Sequence, residues 1–207
     1  MLALKNLEKL SQELKEKYQV PGAIVALTQN GNSIFTKTLG YRNLEDSMPV
    51  TEETVFGLAS VTKSFTCAAI MHLQERGKLN IHDKVSTYLP EFRVRNKERL
   101  EQITIHHFMT HSSGLPPMFA LEYAMKRPKE EDPSVYVHVG KEKEKPIIDT
   151  YEQLMEYIAD QNVELFADPG TQFSYSNEAY SLLGAIIERV SGQSYESYVY
   201  NHIIDPC

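Results

Sequence analysis

Ser60 and Lys63 stand three residues apart in Phe56-Gly57-Leu58-Ala59-Ser60-Val61-Thr62-Lys63-Ser64-Phe65-Thr66, where the pattern predicts that a helix begins. Side chains at i and i+3 share a helix face, so the Lys63 ammonium can reach the Ser60 hydroxyl. Apolar packing around the pair would favour the neutral amine and make Lys63 a proton acceptor, which activates a serine without any histidine. Backbone N–H groups of a first helical turn have no intrahelical partner, so they and the helix dipole can stabilise an oxyanion. The blander reading makes Ser60 an N-cap and lets Lys63 snorkel to solvent, and the tetrapeptide alone favours it. Partners elsewhere in the chain have to decide.

Such partners stand at Tyr175-Ser176-Asn177. A tyrosine and an asparagine two apart in extended chain point the same way; the phenol can exchange protons and the amide can hold a lysine or a substrate carbonyl. Alone, they would be turn residues, with Asn177 capping the helix behind it. Three histidines, His106, His107 and His111, invite a metal reading. His107 and His111 are at i,i+4, but Phe108 occupies the place of the glutamate in His-Glu-x-x-His and no fixed third ligand is visible. Packing or hydrogen bonding is the expected role, with no metal and no cofactor.

The elements that must position these residues read as follows. Met1 to Tyr18 is an amphipathic helix with Leu2, Leu4, Leu7, Leu10 and Leu14 among lysines and glutamates. Asn30-Gly31 between two apolar runs predicts a hairpin of strands at roughly 22–29 and 33–40, and the polar stretch from Tyr41 to Glu53 reads as a loop. The Ser60 helix, with Phe65, Cys67, Ala68, Ala69, Ile70, Met71 and Leu73, is expected to be buried and to stop at Gly77. Asp83 can cap a short helix ending near Pro90, Thr104 one through Met109, and Asp149 or Thr150 one through Ile158. Helices over Tyr180–Val190, stopped by Gly192, and from Ser194 to about Ile203 complete the pattern. The mixed charges and prolines between Pro116 and Pro146 suggest a surface excursion.

With 207 residues, 42% of them hydrophobic and 24% charged, the chain can bury an ordinary globular core. A net charge of −7 with scattered basic residues argues against a nucleic-acid surface. Cys67 and Cys207 make no disulfide framework. The N-terminal helix lacks the unbroken apolar run of a signal peptide or membrane span, so a cytoplasmic location is the default expectation.

Taken together, Ser60-Val61-Thr62-Lys63 and Tyr175-Ser176-Asn177 resemble the serine β-lactamase and penicillin-binding-protein superfamily, in its class C and esterase-like branch, where Tyr-x-Asn takes the place of Ser-Asp-Asn. Gly77-Lys78-Leu79, Tyr88-Leu89-Pro90-Glu91-Phe92, Thr110-His111-Ser112-Ser113-Gly114-Leu115 and Pro169-Gly170-Thr171 are similar to that branch in the same order.

The resemblance implies an α+β fold forming one domain over 1–207: an N-terminal helix and hairpin of a mixed sheet over 1–59, then a mostly helical lobe over 60–207. It makes Ser60 the acylated nucleophile, Lys63 its proton partner, Tyr175 the acid/base and Asn177 the residue that orients Lys63 and binds the substrate's acyl-side amide. The substrate would be a D-amino-acid peptide, a small ester or a β-lactam. The branch's third motif, Lys-Thr-Gly or His-x-Gly on a C-terminal strand, is absent from these residues, so the sequence looks like the N-terminal two thirds of a member. A non-catalytic remnant that only binds is the competing expectation. Bare strand edges would drive self-association or require a complementing chain.

Overall fold

Helix α1, Leu2–Lys17, keeps one face in: Leu4 and Leu7 are half-buried and Ser11 is buried, while Leu10 and Leu14 are 49% and 42% exposed. The burial follows the i, i+3, i+7 rows of one helix face, so only part of the leucine pattern meets the sheet. This comes from a computed structural model, which describes residues 2–118, 120 and 148–207. By its internal contacts the chain divides into two compact units, Met1–Leu58 and Ala59–Cys207.

In the first unit α1 lies on an antiparallel sheet of order β1-β2-β3. Strands β1, Gly22–Gln29, and β2, Asn32–Asn43, meet through Asn30 and Gly31, whose φ values of 51° and 76° are those of a primed hairpin turn. The register runs from Gln29↔Asn32 to Gly22↔Gly40, with a bulge at Leu27/Thr28. β2 continues beyond the expected end at Gly40, because Gly40 takes φ 68° and lets the strand carry on to pair with β3, Met48–Pro49. A Cβ at Gly40 would collide with the Pro21 carbonyl, so the crossing requires glycine. The two residues of β3 replace part of the loop expected over 41–53. Asn43 forms the turn before them by accepting the Asp46 N–H at 3.0 Å.

The second unit is helical. A 3₁₀ turn at Ala59–Val61 leads into α2, Thr62–Glu75; then come α3, Val85–Tyr88, α4, Lys97–Leu100, α5, Ile105–Met109, and α6, Tyr151–Asp160. Next are α7, Asn177–Ser191, α8, Tyr195–Val199, and a π-helical turn, Tyr200–Ile204. α7 is the centre: α2, α3, α5, α6 and α8 all pack on it, and Ala179, Leu182, Leu183, Ala185, Ile186 and Ile187 are buried around it. A helix apolar on most sides has to be enclosed, and each fully buried leucine or isoleucine contributes about 1.5–3 kcal/mol.

Thr104 and Thr150 cap α5 and α6 through reciprocal capping boxes with His107 and Gln153, and Gly192 ends α7 at φ 72°. α2 differs from expectation: only Thr66, Ala69, Ile70 and Leu73 are buried, and Ala68 and Met71 are exposed, so it presents one face to α7. Asp83 does not cap α3, since its carboxylate already accepts the Asn80 N–H at 2.9 Å and the Tyr88 O–H at 2.6 Å. The excursion expected between Pro116 and Pro146 lies, from residue 121 onward, outside the described residues.

Candidate active site

Ala59 takes φ 45°, a left-handed conformation that a residue with a Cβ adopts only under strain. It bends the chain sharply into the 3₁₀ turn, which leaves Ser60 exposed immediately before α2. Ser60 is therefore not the N-cap of α2; Val61 holds that place, with no capping side-chain bond. One turn on, Lys63 is half-buried. Its Nζ donates to Asn177 Oδ1 at 2.8 Å and approaches Ser60 Oγ at 3.4 Å. The Ser60 and Tyr175 hydroxyls are hydrogen-bonded at 2.7 Å. All four residues expected from the sequence thus meet within the second unit.

Extended chain explains how Tyr175 reaches them. Ser174 and Ser176 are buried, at 8% and 1% exposure, so the intervening Tyr175 must face the other way; it is 38% exposed. Both serines are hooked from behind. The Ser174 N–H donates to the His111 carbonyl at 2.7 Å and its Oγ to the Leu115 carbonyl at 2.7 Å. The Ser176 N–H donates to His111 Nδ1 at 3.1 Å, and its hydroxyl donates to Glu178 Oε2 at 3.1 Å. Ser176 Oγ also accepts the Ala179 N–H at 3.1 Å, which makes Ser176 the N-cap of α7. Asn177, which a turn reading would make the cap, is released to hold Lys63.

The electrostatics divide two phenols. Lys63 lies 4.9 Å from the Tyr175 ring centroid and 5.3 Å from that of Tyr180. Interaction with Lys63, followed by the bond to Ser60, holds the Tyr175 phenol below its ordinary pKa. Burial pushes Tyr180 up instead, and its O–H donates to the Met109 carbonyl at 2.6 Å. One ammonium thus faces two phenols whose surroundings push them in opposite directions. Glu178 is 2% exposed; burial raises its carboxyl pKa, and its Oε1 has no hydrogen-bond partner among the described residues.

His111 bonds Ser176 and stacks on Tyr175 with ring centroids 4.2 Å apart, a hydrogen-bonding role of the kind expected for these histidines. His106 and His107 remain on α5, where the His107 ring closes the Thr104 capping box. No group of three or more His, Cys, Asp or Glu side chains that could hold a metal ion occurs among the described residues. Sequence reasoning did not single out Ala59, Ser176, Glu178 or Tyr180. A serine placed just ahead of the apolar run that begins at Ala179 is an N-cap signal, and it could have drawn attention to Ser176.

Comparisons with known proteins bear on the family and the fold. The beta-lactamase family model matches residues 7–207. Protein flp of Staphylococcus aureus strain MW2 is 31% identical over 191 residues, covering 92% of this chain and 34% of its own length. Among solved structures, the octameric penicillin-binding protein homologue from Pyrococcus abyssi is 36% identical with a TM-score of 0.80, covering 98% of this chain and 42% of that one. A class C beta-lactamase is 26% identical with a TM-score of 0.73, covering 99% and 49%. The chain thus spans about a third to a half of the length of these relatives. Since the family model runs through both units, the chain belongs to the beta-lactamase family, within the superfamily of serine beta-lactamases and penicillin-binding proteins that its motifs resemble.

Proposed function

We propose that this chain carries the acylation centre of a serine hydrolase, with Ser60 as nucleophile, Tyr175 as general base and acid, Lys63 as its cationic partner and Asn177 as orienter of Lys63. One observation carries the reading: the Ser60 hydroxyl is hydrogen-bonded at 2.7 Å to the phenol whose pKa Lys63 lowers. A base must lie within hydrogen-bond reach of the proton it removes. Tyr175, as phenolate, takes the Ser60 proton while Oγ attacks the substrate carbonyl carbon, and the oxyanion forms against the Ser60 N–H. Collapse breaks the bond to the leaving amine or alkoxide, which takes the proton back from Tyr175. Water then attacks the Ser60 ester, giving a proton to Tyr175, and release of Ser60 Oγ recovers that proton.

Asn177 Oδ1 holds Lys63 in place, which leaves the Asn177 NH₂ group to meet an acyl-side amide carbonyl. A D-amino-acid peptide or an acylamino β-lactam carries such an amide beside the carbonyl that Ser60 attacks, whereas a small ester offers only the attacked carbonyl and would do without the Asn177 contact. Labelling with a fluorophosphonate tests the chemistry: stoichiometric labelling lost in Ser60→Ala is the expected result. A wild-type chain that takes no label at any concentration sinks the reading in favour of a binding module without turnover. Parallel assays with a chromogenic cephalosporin, a D-Ala-D-Ala peptide and a nitrophenyl ester then rank the three substrate classes.

A further inference from the structure

His111 is buried and sits 65 residues before the serine whose N–H it holds. Its backbone is left-handed, with φ 54°, a strained conformation for a side chain of this size. From that bend its carbonyl accepts the Ser174 N–H and its ring accepts the Ser176 N–H. These two N–H groups lie on one side of the extended chain, the side a neighbouring strand would otherwise occupy. One residue therefore does the work of a strand partner across the Tyr175 position, and its ring also stacks on the Tyr175 ring. An imidazole nitrogen that accepts an N–H cannot carry a proton, so this bond requires a neutral ring with its proton on Nε2.

We propose that His111 is a positioning residue: its Nδ1 lone pair and stacked ring fix the Tyr175 phenol against Ser60, and protonation of the imidazole releases that grip. The titratable groups on the elements around it are Lys63 and Cys67 of α2, His106 and His107 of α5, Tyr175 beside it, and Tyr180 and Glu178 of α7. Burial and then the Lys63 charge oppose a second proton on His111 and hold it below the ordinary histidine value. Release belongs to pH below about 6.5, the unperturbed histidine pKa. The unfolded chain binds this proton before the native one does, so acid both loosens the site and lowers stability.

The proposal builds on the hydrolase reading, and the test keeps the two apart. NMR of the ¹⁵N-labelled full chain reads the tautomer of His111 and the amide of Ser176 during a pH titration, without any turnover. Fluorophosphonate acylation rates over the same pH range are compared for wild type, His111→Asn and His111→Phe. Asparagine tolerates left-handed backbone and offers an oxygen near the Nδ1 position, whereas phenylalanine keeps the stack and loses the acceptor.

The expected result is an Nε2-protonated ring at neutral pH, a Ser176 amide resonance that follows its titration, and acylation that falls in step. His111→Asn should lose that acid limb and acylate faster than His111→Phe, which should be slowed on the order of 10- to 100-fold by a misplaced Tyr175. A proton on Nδ1 at neutral pH, a Ser176 amide indifferent to the titration, or a wild-type rate and profile in His111→Phe overturns the proposal. If the NMR signature holds while Ser60 is never acylated, the hydrolase reading falls and the grip on Ser176 stands.

Discussion

Tyr175 and Tyr180 flank one ammonium and are driven in opposite directions, Tyr175 down through Lys63 and Tyr180 up through burial. Absorbance titration should show one phenol ionising below the ordinary value of about 10. Removing the cation in Lys63→Ala should return it upward; an unchanged titration in that variant would remove Lys63 as the cause. Kinetically, Lys63→Ala and Tyr175→Phe should each slow acylation on the order of 10²-fold or more. The double variant should be little worse than either single one, because the groups act as a unit. A near-wild-type rate in Lys63→Ala would withdraw Lys63 from the mechanism. At this scale the sequence revealed residues whose chemistry and spacing are local: Ser60 with Lys63 at helical spacing, Tyr175 with Asn177 at strand spacing. His111 and Tyr180 were not legible as neighbours of Lys63, since only the packing of α5 and α2 on α7 brings them there.

α7 joins packing to chemistry, because the residues that start it also aim the site. Ser176 caps the helix, so Ser176→Ala should cost about 1 kcal/mol, read as a shift in the denaturant midpoint. An unchanged midpoint would mean that the cap contributes nothing. Glu178 adds a pH dependence of definite sign. Its carboxyl pKa is raised in the native chain, so its contribution to stability is fully present below about 4.5 and is lost as pH rises through the native value. Glu178→Gln should remove that loss, and thermal midpoints from pH 4.5 to 8 should fall less steeply than in wild type. Parallel curves would exclude Glu178 as the source. The sequence placed the start of this helix three residues late, at Tyr180, because Asn177 read as the residue that caps it, whereas Ser176 supplies the cap and Asn177 is already in the first turn. Thr104 was legible as a cap because it stands directly before an apolar-containing run, and Thr150 was one of two candidates with Asp149, which the structure resolves in favour of the threonine.

Across the whole molecule the hairpin was readable from Asn30-Gly31, whereas β3 was not: two residues, one a proline with no N–H to give, carry no strand signal. Strand β1 is an outer strand of the described sheet, and Ile24 and Leu27 on it are 36% and 40% exposed. No helix of the described residues is long and apolar enough to cross a membrane. An exposed strand edge with apolar side chains favours pairing with a second copy. Sedimentation velocity should therefore show concentration-dependent association that Leu27→Lys reduces, and a monomer at every concentration would overturn this.

The hydrogen bond between Ser60 and Tyr175 joins residues 115 positions apart. Contacts so distant in sequence carry a loop-closure cost and form late relative to local helices. A refolding chain can form α2 and the turn that carries Ser60 from local contacts, yet the proposed base reaches Ser60 only when the segment hooked on His111 docks. Uptake of a covalent probe at Ser60 then acts as a clock. In pulse-labelling during refolding, the label should appear with the slowest phase of tertiary assembly and trail the gain of helix, which would make Ser60 a reporter of how completely its own chain has folded.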